Sequence, residues 1–240
     1  MKGVILAAGR STRLYPVTLH TPKCLLKVGN KTMIERQIEY FKKCGIEDMI
    51  VIVGFHESKI KEVLGDSVKY ILNPDFSTTN NIYSLFLAKE DLKGEEFVCV
   101  YSDLFFTPKI LRKCISSKEG ICLAVDRKPV EGTIRVKIEE DSIAMITMEL
   151  SVEEADGNFI GMAKFSPKGS ENIFNELEEL VKNKENLKDY YTIGLVSLIN
   201  KGKKIGFIQT DGDTWVDIDT EKELEYVRRV VAQELEREKC

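Results

Sequence analysis

Two histidines in 240 residues leave little room for imidazole chemistry. A zinc site or a Cys–His nucleophile needs histidines beside cysteines at ligand spacing. The six cysteines, Cys24, Cys44, Cys99, Cys114, Cys122 and Cys240, form no C-x-x-C pair. Several fall within apolar strand or helix patterns, which points to buried free thiols and a reducing, cytoplasmic setting. No apolar run reaches about 18 residues, the length a transmembrane helix needs. Met1-Lys2 leads straight into a strand pattern, without the features of a signal peptide. The net charge of −4 carries none of the basic excess that nucleic-acid binding requires. Neither a membrane nor a nucleic acid is therefore expected as a partner, and an anionic ligand would have to meet a local basic site.

Such a site opens the chain. Lys2–Lys23 reads KGVILAAGRSTRLYPVTLHTPK. A buried-strand signature, Val4-Ile5-Leu6, turns into Ala7, Ala8 and Gly9, and then into Arg10, Ser11, Thr12 and Arg13. Small residues let backbone approach a ligand, hydroxyls and free N–H groups hold phosphate oxygens, and Arg13 and Lys23 add positive charge. Two common phosphate loops are absent. No Lys-Ser/Thr pair follows a glycine as a P-loop demands, and Gly9 stands alone where a dinucleotide fingerprint needs three glycines.

L-A-A-G-R-S-T-R-L followed by T-P-K resembles the signature loop of the nucleotidyltransferases that make sugar nucleotides and CDP-alcohols. Their common form is L-A-A-G-x-G-T-R-[LM] followed by P-K. Ser11 stands where a second glycine is usual, at a position where a positive φ would strain a serine. The resemblance implies that Leu6, Ala7, Ala8, Gly9, Arg10, Ser11, Thr12, Arg13 and Lys23 hold a nucleotide, with Arg13 and Lys23 also catalytic.

Fold class follows from periodicity. Residues 2–8, 48–54 and 97–101 read as strands apolar on both faces, and Thr32 reads as the N-cap of a helix through Lys43. Together they make a β–loop–α–β unit of the doubly wound kind, in which ligands sit at the carboxyl ends of parallel strands. Residues 134–138 and 143–146 alternate as antiparallel strands do. Ser84 through Lys89, Pro108 through Ser116, Ser170 to Lys182, Leu187 to Lys201 and Glu221 to Glu238 read as helical, and Lys204 to Gln209 as a last strand. The expected class is α/β: a Rossmann-like, mostly parallel mixed sheet flanked by helices, with a small antiparallel substrate-side subregion. The resemblance gives its type, that of the nucleotide-diphospho-sugar transferases. No linker divides the chain, so residues 1–240 form one domain. About 1–125 would be its nucleotide half, 126–220 its acceptor half and 221–240 a C-terminal helix.

Asp103, directly after a buried strand, belongs to the same sheet edge as the basic loop. A carboxylate there suits Mg²⁺ beside phosphates, and it equally suits a strand end or helix cap. In Trp215-Val216-Asp217-Ile218-Asp219-Thr220 an extended backbone turns Asp217 and Asp219 to one side. Two such carboxylates repel unless a cation joins them. Asp219 or Thr220 also suits the cap of the final helix. The resemblance covers both segments and implies a Mg²⁺ site on Asp103, Asp217 and Asp219, with Asp103 catalytic.

Asn80-Asn81-Ile82-Tyr83-Ser84-Leu85 is similar to the N-N-x-Y-S-L segments of the cytidylyltransferases that act on phosphocholine and aminoethylphosphonate. That implies CTP as co-substrate, bound in part by Asn80, Asn81 and Ser84. Asparagine amides suit the amide-like edge of cytosine, and the segment also suits the capped N-terminus of the helix through Ser84–Lys89 with a core tyrosine. A cationic acceptor head would want aromatic faces and a carboxylate, for which Tyr83, Phe159, Asp189, Tyr190 and Tyr191 are candidates. The same Asp189-Tyr190-Tyr191 run also suits helix capping and core packing. Asp126, Arg127 and Lys128 lie where the family places substrate contacts, with Arg127 a candidate for the acceptor phosphate. The expected reaction joins CMP to a phosphorylated or phosphonylated amino alcohol. A sugar or inositol phosphate acceptor, or a catalytically silent nucleotide-binding module, remains a rival. A homodimer is left open.

Overall fold

The computed structural model describes the backbone of residues 1–237 and the side chains of residues 1–231. The expected helix end at Glu238 and the Cys240 thiol lie outside the described residues. Strand β1 (Lys2–Ala7) enters the basic loop. A hairpin follows, β2 (Lys27–Val28) with β3 (Lys31–Thr32), which turns at Gly29-Asn30. Thr32 then starts helix α1 (Met33–Lys43) through a capping box: its hydroxyl accepts from the Glu35 N–H, and its own N–H donates to the Glu35 carboxylate. Strand β4 (Met49–Val53), helix α2 (Glu57–Leu64) and strand β5 (Lys69–Leu72) complete the first half-unit.

Next come α3 (Asn81–Phe86), α4 (Lys89–Leu92), β6 (Phe97–Tyr101), β7 (Leu104–Phe106), α5 (Pro108–Ser116) and β8 (Ile121–Asp126). The antiparallel region is β9 (Arg135–Glu139), β10 (Ser142–Thr147) and the long β11 (Gly157–Phe165). The chain closes with α6 (Pro167–Leu180), α7 (Thr192–Asn200), β12 (Gly206–Gln209), β13 (Trp215–Asp217) and α8 (Glu221–Arg237).

One mixed sheet runs β12-β8-β11-β6-β1-β4-β5, with β9 and β10 branching from the first residues of β11. The β1–β4, β1–β6, β4–β5 and β8–β12 pairs are parallel, and β11 runs against β6 and β8. The carboxyl ends of β1, β4, β5, β6, β8 and β12 therefore share one edge, and β11 begins there. Helices cover both faces, which is why β1 and β4 read as unbroken apolar runs: Val4, Ile5, Val51, Ile52 and Val53 are fully buried. One core cluster lies on each face. A third, of Leu14, Leu26, Val28, Met33, Phe105 and Ile218, packs under Leu224, Val227 and Val231 of α8.

Three elements differ from the sequence reading. The helix expected over Leu187–Lys201 is a 3-10 turn (Lys184–Lys188) followed by α7. The break at 189–191 arises because α3 claims its backbone. Asn80 N–H donates to Leu187 O, Ile82 N–H to Asp189 O, and Asn81 Oδ1 accepts from Tyr191 N–H. The helix through Ser84 begins at the two asparagines as expected, at Asn81 with Asn80 as its cap, but stops at Phe86 instead of running to Lys89. β12 is not the last strand, because β13 pairs with β7.

Candidate active site

Lys23 gathers the acidic residues. Its ammonium lies 2.8 Å from Asp103 Oδ2, 2.7 Å from Asp219 Oδ1 and 3.8 Å from Asp217 Oδ1, with the side chain 5 % exposed. Arg13 pairs with the other Asp219 oxygen. Burial by itself would lower the Lys23 pKa, but Asp103, Asp217 and Asp219 outweigh it and raise the value above that of an ordinary lysine. Asp217 shows the reverse balance. Burial of its carboxyl, helped by the Asp103 charge, pushes it up to about 7 against the pull of Lys23. Its Oδ1 is buried without a hydrogen-bond partner, although 43 % of the side chain is exposed. The three carboxylates each offer one oxygen within 4.8 Å of the others. A hard oxygen donor set with one orphaned carboxylate oxygen fits a divalent cation such as Mg²⁺.

Three contacts hold the cluster in shape. Pairing of β13 with β7 sets Asp217 opposite Leu104, and Ile218 N–H donates to Asp103 O at 3.1 Å. From α1, buried Gln37 donates through Nε2 to Tyr101 O at 2.9 Å and Leu104 O at 2.7 Å, fastening both sides of the Asp103 turn. Val216 and Ile218 pack under α8, so Asp217 and Asp219 face outward, as alternation requires. Thr220 exchanges bonds with Glu223 at the start of α8 and Asp219 gives Glu223 only its backbone N–H, which leaves the Asp219 carboxylate to Lys23 and Arg13.

A cleft of about 400 Å³ opens over this cluster at the carboxyl edge of the sheet. Leu6, Ala7, Ala8, Gly9, Ser11 and Arg13 line it, and a Cβ built on Gly9 would meet nothing within 4 Å. The loop thus keeps open space where a ligand's phosphates would approach its backbone. Ser11 takes the left-handed conformation itself, φ 50 and ψ 50, and its carbonyl accepts from Thr18 Oγ1 and Leu14 N–H. Those two bonds hold a serine in a conformation that favours glycine.

Several expected residues lie elsewhere. Arg10 and Thr12 are exposed and off the cleft, with the Arg10 guanidinium over the Phe55 ring. Asn80, Asn81 and Ser84 line it, but their polar groups are largely engaged. Asn80 bonds the Asn81 N–H and Lys188 O, Asn81 Oδ1 takes the Tyr191 N–H, and Ser84 Oγ accepts from buried Asn73. The pair that sequence assigns to the base is thus consumed in part by tying α3 to residues 187–191.

Among the acceptor candidates, Tyr190 and Phe159 line the cleft. Tyr191 does not. It is fully buried against Tyr101, Phe159 and Phe165. Tyr83 is half-buried, stacked on Phe86 against the core and outside the cleft, and Asp189 is an exposed turn residue also outside it. Arg127 lies over Phe207, also outside. Asp126 is structural: its carboxylate accepts from Trp215 Nε1 at 2.6 Å and Thr210 Oγ1 at 3.0 Å, anchoring the segment that leads into β13. Sequence reasoning did not single out Tyr101, Ile134, Met148 or Gly161, all of which line the cleft. Gly161 has φ +87, and a Cβ there would fall 2.7 Å from Tyr101 Cδ2, a strand glycine that signals close approach.

Known proteins converge on the same class. Residues 3–140 match the MobA-like NTP transferase domain. A CTP:phosphoglutamine cytidylyltransferase from Campylobacter jejuni is 28 % identical, with 94 % of this chain and 98 % of that protein covered. A choline-phosphate cytidylyltransferase from Streptococcus pneumoniae is 44 % identical over 44 % of this chain and 46 % of that protein. The solved CTP:phosphocholine cytidylyltransferase of Streptococcus pneumoniae superimposes with a TM-score of 0.83 at 24 % identity, covering 96 % of this chain and 98 % of that one, a likeness of fold. The chain belongs to the MobA-like NTP transferase family, and so to the nucleotidyltransferases. Among the described residues no helix is long and apolar enough to cross a membrane.

Proposed function

We propose that the protein is a CTP-dependent cytidylyltransferase that joins CMP to a phosphorylated or phosphonylated amino alcohol and releases pyrophosphate. The observation that carries this reading is the convergence of Lys23, Arg13 and three carboxylates beneath a small-residue loop. The Campylobacter jejuni and Streptococcus pneumoniae relatives are both cytidylyltransferases by name, which supports cytosine as the base.

In the proposed reaction an oxygen of the acceptor's phosphate or phosphonate attacks the α-phosphorus of CTP. The new O–P bond forms as the bond to the β-phosphate bridging oxygen breaks, and pyrophosphate carries away the electron pair. The nucleophile is already ionised near pH 7, so no general base is needed, and catalysis rests on alignment and charge neutralisation. Ala7, Ala8 and Gly9 admit the triphosphate to the loop, while Arg13 and Lys23 steady its oxygens. Asp103, Asp217 and Asp219 would hold Mg²⁺, which supplies charge neutralisation across the phosphates when bound.

Charge in the cleft supports the acceptor class. Every charged residue lining it belongs to the Lys23 cluster: Arg13, Lys23, Asp103, Asp217 and Asp219. The rest of the wall sets aromatic and apolar side chains, Ile134, Met148, Phe159, Tyr190 and Trp215, beside polar ones, among them Asn73, Thr79, Asn80, Asn81 and Thr133. The aromatic faces suit an ammonium head on the acceptor, and the absence of a further basic residue among the described lining residues disfavours an acceptor with an extra carboxylate. The test is pyrophosphate release with the four NTPs against phosphocholine, aminoethylphosphonate, phosphoethanolamine and inositol phosphate. CTP with phosphocholine or aminoethylphosphonate should give the highest kcat/KM. A preference for inositol phosphate, or for another NTP, would overturn the assignment. Lys23→Ala and Asp103→Ala should each lower turnover by orders of magnitude with the fold intact.

A further inference from the structure

In the structure Lys23 is tied to the same carboxylates that the proposed reaction assigns to a metal. Steadying phosphate oxygens requires free ammonium donors. An ammonium has three N–H groups. One faces Asp103 Oδ2, one Asp219 Oδ1, and Asp217 Oδ1 lies 3.8 Å away. A divalent cation on the same carboxylates would sit roughly 2.0–2.6 Å from their oxygens, and so within a few ångströms of the Lys23 ammonium. Two positive charges that close in a half-buried cleft repel strongly.

We propose that Lys23 is the resident counter-ion of the carboxylate triad, and that a divalent cation entering with the nucleotide displaces it onto the triphosphate. The inference rests on the nucleotidyl-transfer reading. Three formal negative charges meet two positive ones, on Lys23 and Arg13, which leaves the cluster at −1. A lone dication therefore finds a nearly neutralised site and has to evict a buried ammonium that has nowhere else to go. A dication bound to a triphosphate brings the new partner with it: the phosphate oxygens take Lys23 and Arg13 while the carboxylates take the metal. Metal and nucleotide thus bind with positive coupling, and the coupling is reciprocal. The lysine stem makes the exchange feasible. Lys23 sits at the head of a 3-10 turn (Lys23–Leu25) whose Cys24 is buried, so the backbone stays fixed while four flexible methylenes carry a compact charge from one partner to the other.

The probe is Mn²⁺, titrated into the full chain by electron paramagnetic resonance, with and without a non-hydrolysable α,β-methylene analogue of CTP. Wild type should bind Mn²⁺ weakly alone and about tenfold or more tighter with the analogue. Lys23→Met should bind Mn²⁺ alone about tenfold or more tighter than wild type, and its affinity should respond less to the analogue. Arg13→Gln removes a cation from the same Asp219 at a side chain 67 % exposed, so its fold is secure if Lys23→Met does not fold. It should show a smaller gain in the same direction. Equal Mn²⁺ affinity with and without the analogue in wild type overturns the counter-ion role, and so does no gain in either variant. Either result leaves nucleotidyl transfer standing if the wild type still releases pyrophosphate. Absence of Mn²⁺ binding in every condition, together with no pyrophosphate release, overturns both.

Discussion

Gln37 is predicted to act as a positioning residue for Asp103 from a helix that touches no substrate. Its side chain is 1 % exposed, and its Nε2 donates to the carbonyls of Tyr101 and Leu104, two residues before and one after Asp103. Its Oε1 is buried without a partner. Gln37→Leu keeps the volume and removes both bonds. Each buried carbonyl left unpaired costs about 1–3 kcal/mol, and removing the orphaned Oε1 returns roughly 1 kcal/mol, so the net loss should be about 1–5 kcal/mol. For a chain of this size each kcal/mol lowers Tm by about 2–4 °C. Urea unfolding gives the stability, and pyrophosphate release gives the kinetics. With the turn loosened, Asp103 no longer meets Lys23 and β13 in one arrangement, so kcat should fall about tenfold or more while KM for CTP changes little. A Gln37→Glu variant should be worse than Gln37→Leu, because it aims a buried carboxylate at two carbonyl oxygens. A Gln37→Leu protein of wild-type stability and turnover would refute the reasoning.

Ser11→Gly should raise stability by about 0.5 kcal/mol, the left-handed strain of about 1–2 kcal/mol relieved less the extra entropy glycine loses on folding; a loss on urea unfolding would contradict the strain. Gly161→Ala forces a Cβ to within 2.7 Å of Tyr101 at a positive φ, so stability should drop by about 2–4 kcal/mol and KM for the acceptor should rise. Asp217 should make the metal-free protein sensitive to pH. With its folded pKa pushed up to about 7, the folded state holds a proton that the unfolded state has released by then. Its contribution is complete below the unfolded value near 3.8 and is lost as pH rises through about 7. Thermal melts in EDTA should show that decline in wild type relative to Asp217→Asn, and parallel melting curves would exclude it.

Legibility of this chain divides by the range of the contact concerned. The strands β1, β4 and β6 are readable because a parallel sheet buried on both faces demands unbroken apolar runs. The helix from Thr32 to Lys43 is readable because a capping box and an apolar stripe are both local. Asp103, Asp217 and Asp219 are readable for the same reason: one follows a strand, and the other two alternate with Val216 and Ile218. Whether a polar side chain is free for a ligand or consumed by the protein itself depends on partners far along the chain. Asn80 and Asn81 line the cleft, but residues 187–191 come back to take one polar atom of each, which no local pattern announces. Tyr190 and Tyr191 are equivalent in sequence, and only the register at the start of α7 puts one in the cleft and the other in the core. β7 is three residues long and has no signature of its own, so its pairing with β13, which brings Asp217 beside Asp103, is invisible before folding. Ser11 belongs between these cases. Its position in the loop is legible, and so is its departure from glycine, but the left-handed φ it adopts is held by Thr18 and Leu14 folding back onto its carbonyl. The loop motif survives the substitution because the conformation glycine would supply by itself is here imposed by neighbours.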